Sequence, residues 1–108
     1  MLPSQYEIKE YTERGKSPFS KWFNELDAMT AARIDSYVRR MENGNFGDSK
    51  SVGGGVLELR MRFGAGYRVY YSRDGDTIII LLGGGSKRKQ SADIEAAKAR
   101  WAKYRNVR

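Results

Sequence analysis

The stretch "VLELRMRFGAGYRVYYSRDGDTIIILLGGG", Val56 to Gly85, decides the fold. Its apolar residues recur with period two, the signature of a half-buried strand. Leu57, Leu59, Met61 and Phe63 share one face, and Val56, Glu58, Arg60 and Arg62 share the other. Gly64-Ala65-Gly66 reads as a three-residue turn. Tyr67 to Arg73 then runs back, with Tyr67, Val69 and Tyr71 alternating against Arg68 and Tyr70. Asp74-Gly75 is a two-residue hairpin signal, and Asp76 to Leu82 gives a third strand. Ile78 to Leu82 is apolar on both faces, which predicts a strand covered from both sides. Pairing Phe63 with Tyr67 places Arg62 opposite Arg68 and Arg60 opposite Tyr70. Like charges across a ladder are unfavourable by roughly 0.2–1 kcal/mol. Solvation, or an anion held between the guanidiniums, relieves that.

Upstream, Tyr6, Ile8 and Tyr11 suggest a short strand ended by Arg14-Gly15-Lys16. Ser17-Pro18 has the form of a helix cap followed by proline in the first turn. Phe19, Trp22, Phe23 and Leu26 follow at helical spacing. Ile34, Tyr37, Val38 and Met41 repeat that spacing until Asn43-Gly44 stops it. The expectation is an antiparallel helical hairpin packed on the Leu57/Leu59/Met61 face, with the arginine face left open. Asn45 to Gly55 reads as loop. Downstream, Gly83-Gly84-Gly85 reads as a flexible hinge. It would let Lys87, Arg88 and Lys89 fold toward Arg60, Arg62 and Arg68. Ser91 reads as the cap of a last helix with the apolar stripe Ile94, Ala97, Trp101 and Tyr104. The fold class is α+β, a small antiparallel sheet on an N-terminal helical hairpin. The order is β-α-α-β-β-β-α in one domain, residues 1–108.

Composition narrows the chemistry. The chain has 108 residues, a net charge of +7, and neither Cys nor His. Disulfides, thiolate nucleophiles and the commonest general base are excluded, and a reducing compartment is suitable. The start, Met1 to Gln5, lacks the basic and apolar regions of a signal peptide. No apolar run approaches the ~18 residues of a membrane span. These features predict a cytoplasmic protein. From Ser86 to Arg108 there are eight Lys/Arg and two Asp/Glu, whereas the first 85 residues hold twelve and eleven. A single-sign block of this kind fits a polyanion or an acidic partner. A solvated basic helix accounts for it equally, and the sheet arginines can pair with Glu58 and Asp76. A basic patch with an aromatic ring, here Tyr70, is what single-stranded nucleic acid prefers. "GGGSKRK" lacks phosphate-loop spacing, and no carboxylate cluster has metal-ligand spacing.

The run from Met41 to Trp101 resembles a known family. Its marks are the "GNFGD" of Gly44–Asp48, "ELR" of Glu58–Arg60 and "GAGYRVYY" of Gly64–Tyr71. "DGD" at Asp74–Asp76 and "GGGSKRKQSADIEA" from Gly83 to Ala96 follow in order. These motifs are similar to those of the addiction-module killer proteins, HigB-like members of the RelE/ParE toxin superfamily. The resemblance implies the layout above and one half of a type II toxin–antitoxin pair. The implied activity is a ribosome-dependent mRNA endonuclease that needs no cofactor and no metal. Other relatives inhibit DNA gyrase without chemistry, and a degenerate copy would bind only its antitoxin. Implied partners are a helix-turn-helix antitoxin from an adjacent gene, the ribosome and mRNA, with operator DNA reached only through the antitoxin and no membrane. For cleavage, Arg60 and Arg68 would clamp phosphate oxygens. Neighbouring cations favour a neutral amine, which makes Lys87 or Lys89 the candidate base. Lys50, Arg62, Tyr70, Arg88 and Gln90 would contact the RNA.

Overall fold

The computed structural model describes residues 5–107, so the reading of Met1 to Ser4 lies outside the described residues. The chain forms β1 (Glu7–Glu10), α1 (Pro18–Phe23), α2 (Ala28–Met41), β2 (Asp48–Gly53), β3 (Val56–Met61), β4 (Tyr67–Asp74), β5 (Ile78–Gly85) and α3 (Gln90–Asn106). A 3-10 turn, Lys87–Lys89, joins β5 to α3. The five strands make one sheet in the order β1-β5-β4-β3-β2. β1 runs parallel to β5, and the other pairs are antiparallel.

The first helix starts where the sequence indicates. Ser17 Oγ accepts from the Ser20 N–H at 3.0 Å, with Pro18 behind it. Asp27 caps α2 by accepting from the Thr30 N–H at 3.0 Å. Both helices bury their apolar stripes on one sheet face. Phe19, Ile34, Val38 and Met41 pack there on Leu59, Met61, Val69, Tyr71, Ile79 and Leu81. Each such side chain contributes about 1.5–3 kcal/mol. α3 covers the opposite sheet face, which is why the other parity of β5, Ile80 and Leu82, is buried as well.

Four expectations are corrected. Asn45 to Gly55 is not only loop: Asp48–Gly53 is an edge strand paired with β3. Its side chains are mostly exposed, so it carries no apolar alternation. It is held by the backbone ladder and by Gly54-Gly55, whose φ values of 64° and 82° give the two-residue hairpin. The β3–β4 register is displaced by two residues. Met61 faces Tyr67, Arg60 faces Arg68 and Glu58 faces Tyr70. The connection spans Arg62 to Gly66, longer than the three glycine-turn residues, and it closes on Phe63 N–H to Met61 O and Gly66 N–H to Phe63 O. A shift of two keeps every side chain on its predicted face. Likewise Gly75–Thr77, three residues rather than two, join β4 to β5.

The third correction concerns Gly83, Gly84 and Gly85. They are strand residues opposite Tyr70, Val69 and Arg68, not a hinge. Helices press on them from both sides. A Cβ at Gly84 would run into the Trp22 ring, and one at Gly83 would lie 2.7 Å from Arg100 Nη1. Lastly, the arginine face is not open. α3 returns over it and packs Ile94, Ala97, Trp101 and Tyr104 against Tyr11, Val56, Tyr70, Ile80 and Leu82. That helix begins at Gln90 rather than after Ser91, and no side chain caps it.

Candidate nucleic-acid interface

Two strands and two connections converge near the start of α3. Arg60 on β3 stands across the ladder from Arg68 on β4. Arg62 begins the connection between them, and Lys87 opens the 3-10 turn after β5. The Lys87 N–H donates to Ala65 O at 3.3 Å, so the turn is tied to the β3–β4 connection. Gly66 lets the two meet. Its φ is 72°, and a Cβ there would lie 3.2 Å from Lys87 Cβ and 3.5 Å from Arg68 Nη1. The result is a cavity of about 330 Å³ lined by Arg60, Met61, Arg62, Gly66, Tyr67, Arg68 and Lys87. Among the described residues, four cations line it and no carboxylate does. The volume accommodates a phosphodiester and part of a sugar.

The cations are anchored differently. Arg68 is 8% exposed, and its Nη1 donates to Gly66 O at 2.8 Å. Its Nε lies 3.5 Å from Glu58 Oε2. Arg62 donates through Nε and Nη2 to Asp48 Oδ2 at 3.1 and 3.0 Å. Arg60 Nε lies 3.6 Å from the same oxygen. Hydrogen bonding from Arg62, then the charge of Arg60, holds the Asp48 carboxyl below the usual carboxylate range. Asp48 on β2, not Asp76, therefore balances two of the arginines.

Beneath the cavity lies a buried carboxylate. Glu58 is 0% exposed. Its Oε2 accepts from Tyr70 Oη at 3.2 Å and from Gln90 Nε2 at 2.9 Å. Burial first, then the Glu58 charge, pushes the Tyr70 phenol well above its ordinary value, so it stays a donor. Among the described residues, the buried side-chain polar atoms lacking a hydrogen-bond partner are Glu58 Oε1, Arg60 Nε and Arg68 Nε. All three belong to this one site, and buried polar groups are otherwise nearly always paired.

The structure thus brings together Arg60, Arg62, Arg68 and Lys87. Lys89 and Arg88 are exposed on the turn outside the cavity lining, where they line an adjoining depression with Lys87 and Gln90. Lys89 acts electrostatically on Asp93, whose carboxyl burial raises and Lys89 and Arg100 pull back. Lys50 is exposed on β2, opposite Glu58, outside the cavity lining. Gln90 is turned to Glu58. Tyr70 is fully buried and presents no ring for stacking, because α3 covers it. The aromatic at the cavity is Tyr67, which sequence reasoning placed in the core. It does pack on Phe63 and Trp22, but as the first residue of β4 it also borders the site. Its position beside the glycine turn was the available signal. Among the described residues, no group of three or more acidic side chains is placed to hold a metal ion. No helix among them is long and apolar enough to cross a membrane.

Comparison with known proteins gives concordant results. The family model described as "Phage derived protein Gp49-like (DUF891)" matches residues 21–105. An uncharacterized protein of Haemophilus influenzae strain Rd is 44% identical over 81 residues, covering 74% of this chain and 82% of its own length. The chain therefore belongs to the phage-derived Gp49-like family, within the RelE/ParE-like toxin fold group.

Proposed function

We propose that this protein is the HigB-like toxin of a type II toxin–antitoxin pair and cleaves mRNA on the ribosome. One observation carries the reading. Four cations from β3, β4 and two connections line a single cavity to which no carboxylate among the described residues contributes. Such a lining suits the dianionic phosphorane formed when a ribose 2′-oxygen attacks the adjacent phosphorus. In this mechanism Lys87 takes the proton of the 2′-OH. Arg60 and Arg68 hold the nonbridging oxygens, and Arg62 at the rim holds the neighbouring phosphate. The P–O5′ bond breaks, and the Tyr67 phenol supplies a proton to the leaving 5′-oxygen. The products are a 2′,3′-cyclic phosphate and a free 5′-hydroxyl. The exposed Lys50, Arg88 and Lys89 then serve the flanking backbone as electrostatic contacts. Ribosomal alignment of the strand would supply several kcal/mol that this open cavity does not. An antitoxin from a neighbouring gene would block the cavity.

Gyrase inhibition by the last helix finds less support. Trp101 is packed on the sheet, and Tyr104 Oη donates to Asp74 Oδ2 at 2.6 Å. The residues that would mark a protein-binding helix are committed to the fold. The test is induction in cells of the parent, Lys87→Ala and Arg60→Ala. Rapid mRNA loss and translation arrest are expected for the parent, with a drop on the order of 100-fold or more in cleavage for each variant. Each variant should keep its parental melting temperature within a few degrees, because both side chains reach solvent. DNA damage with filamentation, or parental toxicity in both variants, overturns the proposal.

A further inference from the structure

The buried carboxylate under the cavity belongs to neither the apolar core nor the cation lining. Glu58 collects three groups from two elements: Arg68 of β4, the Tyr70 phenol of the same strand, and the amide of Gln90, first residue of α3. Each bond has a geometric consequence. The Arg68 contact sets the azimuth of a guanidinium whose other end is fixed by Gly66 O. Gln90 directly follows the turn that carries Lys87, so its bond to Glu58 sets where that turn stands relative to Arg68. Tyr70 fills the remaining side with a donor that burial keeps protonated.

Stability alone is a poor reason for this arrangement. Arg68 and Glu58 have side chains 10% and 0% exposed, and their closest approach is 3.5 Å without a hydrogen bond. Desolvating two such charges consumes most of the attraction, and apolar residues of similar volume hold a fold at least as well. Glu58 Oε1 also remains without a partner. A sequence that keeps an incompletely satisfied carboxylate here gains orientation instead.

We propose that Glu58 is a positioning residue for the phosphate-binding cavity, with Gln90 as its link to Lys87. It holds the guanidinium of Arg68 and the Lys87 turn in one fixed relation, and it touches no substrate itself. This inference rests on the nuclease reading above.

The test uses the full chain acting on mRNA in programmed ribosomes. The parent is assayed first. Absence of cleavage by the parent rejects the nuclease reading, and the positioning role with it. With an active parent, Glu58→Gln keeps shape and hydrogen bonding but removes the charge. Gln90→Ala removes the link at a half-buried position and serves if Glu58→Gln does not fold. Expected is a fall in kcat on the order of tenfold for each, KM within about twofold, and unchanged cleavage position. The double variant should be no worse than the poorer single one, because both act through one carboxylate. Gln90→Glu, which sets two carboxylates together, should be poorer than Gln90→Ala. A merely structural role predicts a lower melting temperature with parental kcat per folded molecule. That outcome, or independent multiplication of the two effects, would overturn the inference while leaving the nuclease reading intact.

Discussion

The two faces of the sheet are built on different principles. Under α1 and α2 the contact is apolar throughout, with Ile34, Val38 and Met41 set on Leu59, Met61, Val69 and Tyr71. Under α3 the layer is apolar only along its length, from Tyr11 and Ile80 to Trp101. At its far end it gives way to Glu58, Tyr70, Gln90 and Arg68. The first face is a problem of volume, the second a problem of pairing. Volume tolerates exchange among residues of similar size. Pairing does not, since a polar group deprived of its partner bears the whole desolvation penalty. The cavity opens at the pairing end, so the site draws its rigidity from the face least able to accept substitution.

The largest stability effect should fall on the volume face. Ile34→Ala removes three methyl or methylene groups at a fully buried position, and about 2–5 kcal/mol should be lost. Urea denaturation followed by circular dichroism measures it. Lys87→Ala, at the cavity, should leave the same midpoint unmoved. Comparable destabilisation by both variants would mean that the turn is part of the core, and the division between the faces would fail.

The same division explains what could be read from the sequence. Alternation of apolar and polar residues reveals a face that is filled by volume. β3 and β4 were legible for that reason, as were the stripes of all three helices, whereas β5 was legible from its unbroken apolar run. The edge strand β2 was not, because its side chains are exposed and only its backbone is paired. Its Gly54-Gly55 turn was nevertheless a usable signal. Of the expected site residues, Arg60, Arg68 and Lys87 line one cavity and Lys89 does not; a register error of two residues preserves side. Tyr70 and Gln90 were named for RNA contact but meet Glu58, because nothing in a period-two pattern says which polar residues a later helix will cover. The triple glycine misled for a related reason. Composition suggests freedom, whereas close approach by Trp22 and Arg100 restricts it. Gly84→Ala distinguishes the two. A hinge tolerates alanine, whereas a strand residue pressed by an indole should lose about 1–3 kcal/mol through overpacking. A midpoint within experimental error of the parent would restore the hinge.

The smallest effect tests whether the rim of the pairing face contributes to stability at all. Asp48 has its pKa lowered by Arg62 and then Arg60. Asp27 is lowered by its cap bonds to Thr30 on the opposite face. A carboxyl whose folded pKa lies below its unfolded value stabilises the fold above the unfolded value. That contribution fades as pH falls through the folded value. Stability should therefore be level from about pH 7 to pH 5 and decline below about pH 4, where model carboxylates titrate. Asp93 runs the other way. Burial raises its pKa, so between its ordinary and raised values stability falls as pH rises. The carboxylates of Asp48 and Asp27 are exposed, so salt should weaken both contributions. Urea midpoints from pH 3 to pH 7 should show a shallower acid limb for Asp48→Asn than for the parent. If the rim ion pairs matter only for holding phosphate, the two limbs will be parallel. Arg60 and Arg62 would then be held ready for substrate at no benefit to the fold.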